Sequence, residues 1–306
     1  MNSGSNNINN RNILLGTFLT LLGAALWGSC AAVSKQLMSG GELDTLWMTN
    51  FRMFMSGVIL VSYAAIRRPH SVLSIWKDKQ SLPRLFAIGA LAFGLCQIGY
   101  FLSIQYCNAG LASAIQQTAP VFILIYATIT EHRFPQPSEL IVIAMVIFGS
   151  FMIATNGNFR SLSIAPQALL WGLVSAITAA LYVVLPGKLI SSFGTCEVTG
   201  WGMIIGGLLI APVCKLWMFP AAISLSTALG LFYIIVPGSV IAFAAFLYGT
   251  TLIDPVRAGV YNLFEPVVAT IAALLVFGES FSISDYIGIS AIILGIAILT
   301  VTKNTH

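Results

Sequence analysis

The chain has 306 residues, 58% of them apolar and 8% charged, with a net charge of +4 and a mean hydropathy of +0.91. Soluble domains carry roughly 25% charged residues, and a water-soluble core of this length has no use for so much apolar surface. The composition therefore excludes a soluble protein and predicts an all-α integral membrane protein.

From the N-terminus, the polar stretch "MNSGSNNINNRN" (1–12) reads as a cytoplasmic tail. No A-x-A-like cleavage site follows the first apolar run, so span 1 is expected to be retained. Ten apolar runs come next, each near the length of about 20 residues that crosses a bilayer. They lie at 13–34, 45–66, 84–107, 111–130, 138–155, 167–187, 197–214, 228–250, 257–277 and 283–302. Helix is the expected state, because unpaired backbone cannot face lipid and nothing here alternates like a barrel strand. Asp254-Pro255, Ser81 with Pro83, and Pro137-Ser138-Glu139 supply helix starts. The cysteines Cys30, Cys96, Cys107, Cys196 and Cys214 form no C-x-x-C pair and read as small hydrophobic residues.

With the N-terminus cytoplasmic, the inner side collects Arg11, Arg67, Arg68, Lys77, Lys79, Arg84, Arg133, Lys188, Arg257 and Lys303. The outer side collects Lys35, Arg160 and Lys215, and Arg52 falls inside span 2. That asymmetry predicts a cell (inner or plasma) membrane protein with both termini cytoplasmic.

The halves repeat. "QQTAPVFILIYATITEHRF" (116–134) aligns with "NLFEPVVATIAALLVFGESF" (262–281), placing Pro120 opposite Pro266, and the same shift of 146 places Gly149 opposite Gly295. Five spans per copy is an odd number, so the second copy enters the membrane upside down, the arrangement found in many secondary transporters. The expected division is a tail (1–12), a first repeat (13–155) and a second, inverted repeat (167–302).

Within the spans, Glu265 interrupts an apolar run near mid-membrane, where an acid costs about 2.5–3.5 kcal/mol on insertion scales. It reads as a site for a substrate amine, a coupling proton, or both in turn; a structural hydrogen bond beside a Pro266 kink is the alternative. Arg52 is a candidate carboxylate clamp, or else it snorkels outward or pairs with Glu42 or Asp44. Gln97 and Tyr100 share one face of span 3, Gln116 and Gln117 precede Pro120, and Asn262 shares a face with Glu265. Helix-to-helix hydrogen bonding explains any one of them, but together they suggest one cavity, with Trp27, Tyr182 and Tyr248 as wall candidates or packing residues. Pro120, Pro266 and the pair Pro237-Gly238 are candidate kinks or hinges. Gly202 and Gly206 have the spacing of a close helix contact.

No Walker A motif and no metal-ligand spacing is present, so no cofactor or metal is expected. His70, His132 and His306 fall in loops or the tail. The basic loop 67–84 reads as inner-face charge beside anionic headgroups, not as a nucleic-acid site.

"ALWG" (25–28), "TAPVF" (118–122) and "FEPVVA" followed by "FGES" resemble the EamA repeats of the drug/metabolite transporter superfamily. "SIAPQALLWGLVSA" (163–176) and "VTGWGMIIGG" (198–207) are similar to its YicL-like carboxylate/amino acid/amine branch. The second half departs by having Tyr182 for the first-repeat Trp. The "GE" before the last helix is kept as Gly278-Glu279, while the first half reads Thr130-Glu131-His132-Arg133. The resemblance implies ten transmembrane helices as two inverted five-helix EamA repeats around a central cavity, and export of small polar metabolites such as amino acids. Uptake or exchange of carboxylates, drugs or nucleotide-linked compounds is the alternative on the same fold. A lipid-modifying membrane enzyme is a remote one, since no catalytic cluster is evident. The expected partners are a small-molecule substrate, protons as a coupling ion and the lipid bilayer.

Overall fold

A computed structural model describes residues 3–39, 43–106, 109–132, 134–155, 157–158, 165–219, 223–277 and 282–302. All regular structure among them is helical. In chain order the helices are α1 (Ser3–Ser39), α2 (Thr45–Arg67), α3 (Pro69–Val72), α4 (Ser74–Lys77), α5 (Leu82–Tyr106), α6 (Ala109–Gln116), α7 (Ala119–Glu131) and α8 (Pro137–Thr155). Then follow α9 (Pro166–Val184), α10 (Gly187–Phe193), α11 (Thr195–Cys214), α12 (Leu225–Thr250), α13 (Pro255–Asn262), α14 (Glu265–Phe277) and α15 (Ile283–Thr302). The polar stretch expected as a tail is helical from Ser3 onward, continuous with the first apolar run.

Among the described residues, eight helical segments are long and apolar enough to cross a membrane. The ninth and tenth apolar runs correspond to the α13–α14 pair and to α15, whose counted apolar stretch is Ile283–Ile298. Lipid-facing positions are apolar, as at Leu229, Leu275 and Ile283, exposed by 61, 77 and 80%.

The sequence shift of 146 reappears in the backbone. α6 ends at Gln116 and α7 begins at Ala119; α13 ends at Asn262 and α14 begins at Glu265. Both breaks close with a tight turn: Thr118 N donates to Ile115 O at 3.0 Å, and Phe264 N to Tyr261 O at 3.1 Å. Pro120 and Pro266 therefore sit in the first turn of a new helix, where a missing N–H leaves no bond unmade. They mark breaks in helix continuity rather than kinks within it. A second matched irregularity is a wide π turn, at Ile88–Leu95 in α5 and Val236–Ile241 in α12. Pro237-Gly238 lies in the latter; α5 makes its turn without a proline.

Helix neighbours also exchange between halves. α1 packs on α12 as α9 packs on α5, α1 meets α14 as α9 meets α7, and α2–α11 and α8–α15 are pairs that cross between halves. The α8–α15 contact is close enough that a Cβ at Gly149 would meet Gly288 O at 2.6 Å, and one at Gly288 would meet Gly149 O at 2.6 Å. Gly206 approaches Gly89 O of α5 in the same way, so the Gly202/Gly206 pair serves contacts within the fold.

Start caps use buried acids. Glu139 Oε2 accepts from Gln136 N at 3.0 Å, and Asp285 Oδ2 from Ser282 N at 2.8 Å, equivalent residues closing equivalent helices; at Ser282 the pairing is reciprocal, its Oγ accepting from Asp285 N at 3.2 Å, which makes a full capping box. Arg257, expected at the inner surface, is 6% exposed. Asp254 caps α13 through Val256 N and Arg257 N, so the helix starts before Arg257 and packs it inside.

Candidate functional site

Helices α1, α2, α5, α6, α7, α9, α11, α12 and α13, with the first residue of α14, surround a cavity of about 650 Å³. Its walls run from mid-span to Met38 and Thr45, which flank the first connection, and to Ile104 near the end of α5. The cavity thus opens at the end of the bundle marked by Met38, Thr45 and Ile104.

At the floor Trp27 lies 4.6 Å from Phe243, 4.9 Å from Phe246 and 6.2 Å from Tyr182 between ring centroids. Phe93 stands 5.5 Å from Phe243. Beneath this aromatic layer Phe246, Leu60, Ile88 and Tyr261 are fully buried, so the opposite half is closed by tight packing.

Glu265 opens α14 and lines the cavity. Gly28 of "ALWG" fixes it there: a Cβ on Gly28 would lie 2.5 Å from Glu265 O. Unlike Glu139 and Asp285, the Glu265 carboxylate has no hydrogen-bond partner among the described residues, and it sits within electrostatic range of Arg52 and Tyr182. Arg52 lines the same cavity from α2, with Nη1 3.5 Å from Cys30 Sγ. Asp44, considered as its partner, instead accepts from Trp47 N at 2.8 Å to cap α2, while Glu42 lies outside the described residues. Acid and guanidinium therefore face one space without a direct ion pair between them.

The structure also brings Gln97, Tyr100, Gln116, Gln117, Asn262, Trp27, Tyr182 and Pro120 to the cavity. Asn262 Oδ1 and Trp27 Nε1 are buried without a partner among the described residues, which leaves an acceptor and a donor open at the site. Gln116 is partly spent: its Nε2 donates to Ser175 Oγ at 2.6 Å and lies 3.5 Å from Cys96 Sγ, while Ser175 Oγ donates to Cys96 O at 2.9 Å. This cluster ties α5, α6 and α9 together.

Tyr248 is not part of the site. It is 46% exposed and absent from the lining, because five residues at about 100° each carry it roughly 140° round α12 from Phe243. Pro266, Pro237 and Gly238 lie behind the wall; a Cβ at Gly238 would meet Cys30. Gly278-Glu279 lie outside the described residues. Sequence reasoning missed the methionines of the wall (Met38, Met48, Met53, Met203) and Phe93, Phe101 and Phe243. In an apolar span they look like lipid-facing residues.

Comparison with known proteins places this geometry. The EamA-like transporter family matches residues 14–155 and again 166–301. The inner membrane transporter YicL of Salmonella typhimurium is 31% identical over 287 residues, 93% of this chain and 95% of that protein. The inner membrane transporter YedA of Escherichia coli K12 is 24% identical, covering 91% of this chain and 88% of its own. A solved crystal structure shares the fold with a TM-score of 0.78 at 18% identity, over 94% of this chain and 96% of its own. The chain therefore belongs to the EamA-like transporter family of the drug/metabolite superfamily, as a multi-pass membrane transporter.

Proposed function

We propose that the chain is a secondary transporter that exports amino acids or related zwitterionic metabolites by alternating access, through ten spans arranged as two inverted repeats with both termini cytoplasmic. The observation that carries the reading is the cavity itself, in which Arg52 and Glu265 face one space unpaired with each other. Glu265 accepts the substrate amine, or a coupling proton when the amine has left. Arg52 takes the carboxylate, for which a guanidinium is shaped bidentately. Asn262, Gln97 and the free part of Gln116 orient the ligand, and the Met and aromatic walls receive its side chain.

Matched helix breaks, matched π turns and exchanged helix neighbours support an inverted repeat able to take two related shapes. With the N-terminus inside, the end of the bundle marked by Met38, Thr45 and Ile104 lies outside, so the described shape faces outward. The test is counterflow in proteoliposomes loaded with mixed amino acids, amines and carboxylates, with mass spectrometry of what exchanges. Zwitterion exchange that Glu265→Gln lowers at least tenfold is the expected result. Exchange confined to drug-like cations or simple carboxylates, or unchanged in Glu265→Gln at every pH, overturns the site assignment.

A further inference from the structure

The segment joining α2 to α5 holds Arg67, Arg68, Lys77, Lys79 and Arg84, all exposed. The acid among them, Asp78, is already engaged: Oδ1 accepts from Gln80 N at 3.0 Å and Oδ2 from the Ser81 hydroxyl at 2.6 Å. The Ser81 bond holds its carboxyl below the usual carboxylate range, so it stays an anion, turned toward its own turn.

This segment is anchored. Val72 and Ile75 are buried, the Val72 carbonyl accepts the Trp201 indole N–H at 2.9 Å, and Trp76 meets Trp201 and Phe86 edge-on. Around the anchors Ile66, Leu73 and Phe86 are exposed by 82, 55 and 47%. A fixed ledge therefore sets cations beside apolar side chains. The segment between α11 and α12 differs: Lys215 is its one basic residue, beside exposed Trp217, Met218 and Phe219.

We propose that the α2–α5 ledge binds the phosphate headgroup of an anionic phospholipid, with its acyl chains lying on Ile66 and Phe86. Five cations against one acid leave the ledge net positive and attract an anion, and each basic residue near a membrane surface contributes about fivefold in affinity. A free phosphate meets the cations but leaves the apolar side chains uncovered, which selects the lipid as occupant. Because all five basic side chains are exposed, their removal leaves the packed anchors intact.

The experiment titrates the purified full chain with phosphatidylglycerol or phosphatidylcholine and counts bound lipid by native mass spectrometry. The wild type should retain phosphatidylglycerol, and R67Q/R68Q/K77Q/K79Q/R84Q should bind it at least a hundredfold more weakly. The milder K77Q/K79Q should lose roughly tenfold or more, and Lys188→Gln, elsewhere on the surface, should lose nothing. Equal retention by the variants, equal retention of phosphatidylcholine, or displacement of the lipid by millimolar inorganic phosphate overturns the proposal.

Discussion

Gly28→Ala tests how Glu265 is held. A methyl at Gly28 would lie 2.5 Å from Glu265 O, 2.8 Å from Val268 Cβ and 2.9 Å from Ala269 N. Two of those three atoms belong to the α14 backbone, which cannot rotate aside as a side-chain tip can. Restoring ordinary contact requires α14 to back away from α1 by roughly 0.5–1 Å, and overpacking of this kind costs about 1–3 kcal/mol. A binding constellation tolerates about 0.5 Å of displacement, so the shift should impair the site as well as the packing. Thermal unfolding in detergent should show a fall of a few degrees, at about 2–4 °C per kcal/mol for chains of 150–250 residues. Counterflow should drop in parallel. Gly187→Ala is the control, since a Cβ there meets nothing within 4 Å. If Gly28→Ala matches Gly187→Ala in both assays, the α1–α14 contact does not hold the carboxylate, and the reasoning fails.

Arg52→Lys keeps the charge but loses the planar fork; substrate-competition counterflow should show carboxylate-bearing substrates weakened about tenfold while simple amines are little changed. Equal losses in both classes would mark Arg52 as structural. Trp27→Ala removes the centre of the aromatic floor and should cost about 3–5 kcal/mol, read as a large fall in thermal stability, with Trp27→Phe much milder. Ser175→Ala deletes the acceptor of the 2.6 Å Gln116 bond and should lower stability by about 1 kcal/mol while leaving substrate selectivity intact. A change in which solute exchanges would instead assign the cluster to binding.

Composition alone fixed the membrane class, because 8% charged residues leave no polar coat for a soluble particle. The shift of 146 was legible because Pro120 and Pro266 are rare residues in a monotonous apolar background. Glu265 and Arg52 were legible for a related reason: a charge in a span is costly enough to signal a site. Only the tertiary structure decided which side of each helix faces the cavity. In lipid both the packed and the outer faces are apolar, so periodicity cannot separate inward Phe243 from outward Leu229, nor reveal that Tyr248 points away. The helix start at Pro137-Ser138-Glu139 was legible, but only the structure decided that Asp285 closes the equivalent start while the Glu265 carboxylate closes none among the described residues. The π turn of α5 carries no proline to announce it, and the Gln116–Ser175–Cys96 tie joins residues 59 and 79 apart in sequence. Sequence position sets what each residue can do; which groups share one cavity is set by how the helices pack.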